Sequence, residues 1–90
     1  MVLLKLDERL LAAHLHDSIE YFREGTSLVL TLSEGENVQH TLDKNHIILS
    51  QPVIAIINEQ TADFTQILED GDRVRLLPQI AGGSTQTWKQ

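Results

Sequence analysis

The sequence predicts one α+β domain, and three observations carry that expectation. The 90 residues contain no internal repeat, low-complexity tract or interior linker, so they form one unit with room for one sheet and one or two helices. Runs of strand character lie towards both ends, and a short amphipathic run lies between them. Strand, variable segment, strand, helix, strand and strand, in that order, place a hairpin, a helix and a returning strand around one core.

VLLKL at the start is the first strand candidate. In residues 7–22, Leu11, Leu15, Ile19 and Phe22 fall at i, i+4, i+8 and i+11, which fits a helix capped by Asp7. The element order competes with that pattern, and the stretch is expected to be a connecting loop with at least one helical turn rather than an extended hairpin arm. In SLVLTLSEG, Leu28, Leu30 and Leu32 alternate with Ser27, Val29, Thr31 and Ser33, the period-two pattern of a half-buried strand, and Gly35 closes it with a turn. ENVQHTLDKN has Asn37 as a cap and Val38, Thr41 and Leu42 on one face, a helix of two or three turns. PVIAIINEQ is a nearly continuous β-branched run, as for a strand covered on both faces, with Pro52 tolerated at its first position. In DGDRVRLLPQI, Asp70-Gly71 signals a turn, and Val74 and Leu76 alternate with Arg73, Arg75 and Leu77. Val29, Ile54, Ile56, Val74 and Leu76 are expected in the core. The strand order predicts a mixed sheet of four or five strands wrapped around the helix near Asn37, with the first and last long strands central and parallel.

Composition removes several classes of function. The absence of cysteine excludes disulfides, thiolate metal sites and cysteine nucleophiles. Thirteen acidic against seven basic residues give a net charge of −6, which opposes binding to a phosphate backbone and suits docking on a basic patch of another protein. The apolar start is broken by Lys5, Asp7, Glu8 and Arg9 before it reaches the length of a secretory core or a membrane span, so a soluble cytoplasmic protein is expected. Asp70 and Asp72 flank Gly71 as turn residues, with no further acidic ligands at alternating positions to make a metal loop. His14 and His16 diverge on a helix and are expected to be solvent-exposed rather than a ligand pair. With no nucleophile–base pair or paired carboxylates in sight, the chain is not expected to be an enzyme.

The C-terminal part resembles a known family. LTLSEGENVQHTL, then VIAIINEQ, then ILEDGDRVRLLPQIAGG follow the order and spacing of the MoaD and ThiS family of sulfur carriers, from Leu28 to Gly83. Gly82-Gly83 alone would carry little; the preceding DGDRVRLLP element gives the resemblance its specificity. Gln79 stands where the family usually has a second proline, and Glu59 where its turn usually has glycine. The longer first connection, residues 7–26, is similar to the expanded loop of many MoaD-like members. The resemblance implies a β-grasp, ubiquitin-like fold for residues 1–83, with residues 84–90 as a C-terminal extension expected to be flexible.

The resemblance also implies the chemistry. A terminal glycine carboxylate attacks the α-phosphate of ATP inside an adenylating activating enzyme, and sulfur then displaces AMP to give a glycyl thiocarboxylate for a sulfur-accepting synthase. The carrier itself binds no cofactor; the ATP is used by its partner. Such a reaction needs a thin arm without Cβ bulk, which Gly82 and Gly83 supply, and Pro78 stiffens its base by fixing φ. Ordering an arm costs about 1–2 kcal/mol per residue, so the partner must also grip the globular surface. Candidate grip residues are Arg73, Arg75, Leu77, Pro78, Ile80 and Ala81, with Phe64 beside them.

As encoded, however, Gly83 is tied into an amide with Ser84 and cannot form an adenylate. Either a peptidase removes residues 84–90, as it does from ubiquitin-like precursors, or the chain has kept the fold without the reaction. The two readings are a sulfur-carrier precursor and a non-reactive β-grasp interaction module. A nucleic-acid-associated appendage is a third, opposed by the acidic balance.

Overall fold

The computed structural model describes residues 1–79. The elements are β1 (Val2–Asp7), a 3-10 turn (Glu8–Leu10), β2 (Glu20–Glu24), β3 (Ser27–Leu32), α1 (Val38–Lys44), β4 (Val53–Ile57), β5 (Gln60–Ala62) and β6 (Arg73–Pro78). Among the described residues these strands make one six-stranded sheet in the order β2-β3-β1-β6-β4-β5. β1 and β6 are central and parallel, with Lys5 opposite Arg75 and Leu6 opposite Leu76, as the strand order predicts. All other pairings are antiparallel.

The sheet has six strands where four or five were expected: β2 and β5 join the four strand candidates of the sequence. Residues 20–22 read as the end of a helical pattern, but with Arg23 and Glu24 they pair antiparallel with β3, Phe22 opposite Val29. The connection Gly25-Thr26 has only two residues, and Gly25 at φ +64° opens it, as in the tight hairpin turns whose twist matches the strands. Residues 7–19 hold the expected helical turn: the Asp7 carboxylate caps it by accepting the Arg9 amide at 2.8 Å. Leu11 and Leu15 pack part-buried against the core and Ile19 is buried, so the apolar spacing marks inward-facing loop positions rather than a helix. Phe22 breaks from that series and lies on the opposite side, 53% exposed.

The core fills the space between one sheet face and α1. Val2, Leu4 and Leu6 of β1, Leu28, Leu30 and Leu32 of β3, and Val74 and Leu76 of β6 form it with Val38 and Leu42 of the helix. Asn37 caps α1 as expected, its side-chain oxygen accepting the His40 amide at 2.6 Å. Thr41 is buried with its hydroxyl unpartnered. β4 is covered on one face only: Val53, Ala55 and Ile57 point inward, whereas Ile54 and Ile56 point to the outer face. The expectation of a doubly covered β4 with Ile54 and Ile56 in the core is therefore corrected, because α1 lies on a single side of the sheet. Val29 is buried too, but it belongs to the outer face and lies outside the core cluster.

Two turns fix β6 in the middle. The Asp72 carboxylate accepts the Glu69 amide at 2.8 Å, and the Gly71 amide donates to the Met1 carbonyl at 2.8 Å, so the DGD turn delivers β6 alongside β1. Asn58, in the two-residue turn between β4 and β5, donates from Nδ2 to Asp72 at 2.9 Å and accepts the Arg73 amide at 3.0 Å. Hairpin and DGD turn are thereby locked together at the start of β6.

Candidate functional site

Alternation along β6 decides which side chains face outward. Val74 and Leu76 are buried, and Arg73, Arg75 and Leu77 stand on the outer face, away from α1. Strand register extends that face sideways. A single row crosses the sheet from Phe22 through Val29, Lys5 and Arg75 to Ile56. The next row towards the end of β6 pairs Leu77 with Ile54, 37% and 36% exposed. The first row, with Leu3 and Arg73, lines a shallow depression of about 270 Å³ with an apolar floor and a cationic centre, rimmed by Glu24 and Glu59.

Ion pairs at the rim reach two of the three cations, Lys5 and Arg75, so the depression keeps one net positive charge. Lys5 pairs with Glu24 at 2.6 Å, and Arg75 approaches Glu59 at 3.7 Å. Pro78, the last residue of β6, lines a second recess with Asp7, Arg9, Leu10 and Gln51. There the Arg9 guanidinium, 2.9 Å from the carboxylate, together with the Arg9 backbone amide, pulls Asp7 down to about 2. Gln79 is still anchored, its amide donating to the Pro52 carbonyl at 3.0 Å.

The structure brings Arg73, Arg75 and Leu77 onto one face and sets Pro78 at its end. It does not bring Phe64 there. That ring is half-buried against the core cluster, and its carbonyl accepts the Gln39 amide of α1 at 3.0 Å, which places it on the helix side. Ile80, Ala81, Gly82 and Gly83, and the extension of residues 84–90 expected to be flexible, lie outside the described residues. Lys5, Phe22, Val29 and Ile56 join the face without having been singled out in the sequence for it. The period of β1 contains the signal for Lys5, since Leu4 and Leu6 face the core, but its proximity to Arg75 requires the β1–β6 register. His14 and His16 are exposed, and no cluster of three metal-ligating side chains exists among the described residues. No helix among them is long and apolar enough to cross a membrane.

The sequence model of the ThiS family matches residues 19–83, well over half of the chain. The chain belongs to the ThiS family. Its fold is accordingly the β-grasp, here with six strands among the described residues, and the family places it among small ubiquitin-like sulfur carriers, which act together with an activating enzyme and a synthase and are not enzymes themselves. Comparison with curated proteins and with solved structures finds no match. The ThiS match begins at Ile19, immediately before β2, and ends on Gly83, the second of the two glycines. Residues 84–90 lie beyond it.

Proposed function

We propose that this ThiS-family chain is the precursor of a cytoplasmic sulfur carrier whose working end is Gly83. The observation that carries the reading is that the family match stops on Gly83, a few residues after the central strand β6. A separate peptidase hydrolyses the Gly83–Ser84 amide. The freed carboxylate attacks the α-phosphate of ATP inside the activating enzyme, releasing pyrophosphate and leaving an acyl adenylate. A sulfur nucleophile supplied there then replaces AMP, giving the thiocarboxylate that a synthase consumes. The chain binds no cofactor itself.

In this scheme the outer sheet face does the holding and the glycines do the entering. Arg73, Arg75 and Leu77, with Lys5 and Phe22 beside them, offer a desolvatable apolar surface with a positive centre. A partner gripping it offsets the cost of ordering residues 80–83 in a narrow channel. Pro78 and the Gln79–Pro52 hydrogen bond keep the base of that segment in a fixed direction.

The decisive experiment uses a chain ending at Gly83. Incubated with the cognate activating enzyme, ATP and a sulfur donor, it is expected to exchange one oxygen for sulfur by intact mass, while the chain through Gln90 stays unchanged. Gly83→Ala is expected to bind the partner and react poorly. The competing reading, a non-reactive interaction module, rests on the residues that block Gly83. It prevails if native cells yield only the chain through Gln90 and the shortened chain does not react.

A further inference from the structure

β2 is one edge of the sheet, and among the described residues nothing pairs with its open side. Sheet edges are commonly blunted by proline, a bulge or unpaired charge, because an open ladder recruits another strand. β2 has neither proline nor bulge, and its five residues keep one unbroken register with β3. Of its charges, Glu24 is held by Lys5 at 2.6 Å and Arg23 by Glu8 at 2.5 Å, which leaves Glu20. Between Glu20 and Arg23 stand two half-exposed aromatic rings, Tyr21 and Phe22. The opposite edge, β5, is only three residues long. We propose that β2 pairs antiparallel with β2 of a second copy of this chain, Phe22 facing Phe22 across a two-fold axis, so that two sheets join edge to edge.

The register follows from which backbone groups are free. Glu24 and Ser27 flank a two-residue turn and form a hydrogen-bonded pair, so by the alternation of an antiparallel ladder Phe22 and Glu20 also bond to β3. Tyr21 and Arg23 therefore turn their N–H and C=O groups to the open side. Two identical antiparallel strands related by a two-fold axis set one residue opposite its own copy, and choosing Phe22 sets Tyr21 opposite Arg23 twice. All four outward N–H groups of the two strands then donate to outward carbonyls. Centring on Tyr21 would instead set Arg23 against Ile19, whose amide already donates to the His16 carbonyl at 3.0 Å, and centring on Arg23 would set Tyr21 against the turn residue Gly25.

Side chains agree with the backbone. On the outer face ring meets ring at Phe22, and on the inner face each Tyr21 lies opposite Arg23 of the other copy, a cation–π pairing made twice. That inner side holds an open cleft of about 650 Å³, where Leu11, Leu15, Ile19 and Leu28 meet Tyr21 and Arg23, so the incoming Tyr21 finds apolar surface beside its guanidinium. Glu20 faces Glu24 at both ends of the ladder, and there Lys5 already neutralises Glu24. A ladder of five residues falls short of the roughly 1,200 Å² that a stable dimer buries, so a dissociation constant on the order of 0.1 mM is expected. The two-fold axis crosses the sheet, which puts both outer faces on one side with Phe22 of each depression at the seam. The pairing does not depend on the carrier reading.

Sedimentation equilibrium of the full chain reads the association, and amide exchange reads the register. With a constant on the order of 0.1 mM, the share of chains in dimers rises from about four-tenths at about 50 µM to about eight-tenths at about 1 mM. Over the same range the exchange rates of the Tyr21 and Arg23 amides are expected to fall about threefold, in step with the monomer, while the Phe22 amide, bonded to β3, keeps its rate. Tyr21→Lys sets a lysine against Arg23 twice and is expected to raise the dissociation constant about tenfold with unchanged circular dichroism. Tyr21→Pro removes an N–H that β3 does not use and is expected to leave the chain folded and monomeric. A chain that is monomeric at about 1 mM overturns the proposal. So does a dimer whose Tyr21 and Arg23 amides exchange at the same rate at both concentrations, or one that Tyr21→Lys does not weaken, since either is joined through another surface.

Discussion

Glu59→Gly is expected to stabilise the protein. Asn58 and Glu59 form the whole connection between β4 and β5, at φ +51° and +71°, both in the left-handed region. Asparagine tolerates that conformation, but a residue such as glutamate is placed there at a cost of about 1–2 kcal/mol. The turn cannot relax, because Asn58 is tied by its backbone amide to the Arg73 carbonyl at 2.9 Å and by its side chain to Asp72 and the Arg73 amide. Glycine removes the steric term and returns about 0.5–1 kcal/mol through the greater entropy of the unfolded chain, leaving a net gain of about 0.5–1 kcal/mol. The ion pair between Arg75 and Glu59, which the substitution also removes, is long at 3.7 Å and largely solvated, so it contributes next to nothing. For a domain of this size the gain corresponds to a rise of about 2–8 °C in Tm, read by calorimetry or thermal circular dichroism. Glu59→Ala separates the causes, since it deletes the carboxylate and keeps the strained φ, and no rise is expected for it. An unchanged or lower Tm for Glu59→Gly, or an equal rise for both variants, would refute the strain argument.

Thr41→Val removes a hydroxyl that is buried without a partner while keeping the side chain's shape, and a gain of about 1 kcal/mol is expected in urea denaturation. Asp7 has a folded-state pKa depressed from 3.8 to about 2, so its contribution to stability is present in full above about pH 4 and lost as pH falls towards 2. Urea midpoints measured across that window are expected to fall less steeply for Asp7→Asn than for the unaltered chain, and identical slopes would contradict the Arg9 pairing. Reversing the cationic centre with Arg73→Glu and Arg75→Glu is expected to slow association of the Gly83-ended chain with its activating enzyme about tenfold at low salt, with a smaller effect at high salt and unchanged circular dichroism. A salt-independent effect would point away from steering by this face.

Much of the fold is local information and was legible for that reason. Leucine alternation in residues 28–32, the Asn37 cap and the Asp70-Gly71 turn each express a backbone preference acting within a few residues, and each lies where the pattern puts it. The spacing of Leu11, Leu15 and Ile19 reports inward-facing positions correctly, but a period cannot distinguish a helix from a loop that dips into the core three times. β2 escapes the pattern for a related reason: all five of its residues are exposed, so it has no buried face to imprint a period, and only the tight turn at Gly25 betrays it.

The sequence by itself determined an acidic α+β chain without cysteine chemistry, with a Gly-Gly pair shortly after the strand run of residues 73–78 and further residues after the pair. Only the tertiary structure decided which face of β6 is free. α1 covers one side of the sheet, so Ile54, Ile56 and Leu77 are left outside together with Arg73 and Arg75, although Ile54 and Ile56 read as core residues. It also separated Phe64 from them, and it joined Lys5 to Arg75 through a parallel pairing of strands about seventy residues apart in the chain. Side-chain alternation is a property of each strand alone, whereas the choice of inner face belongs to the helix that packs on the sheet.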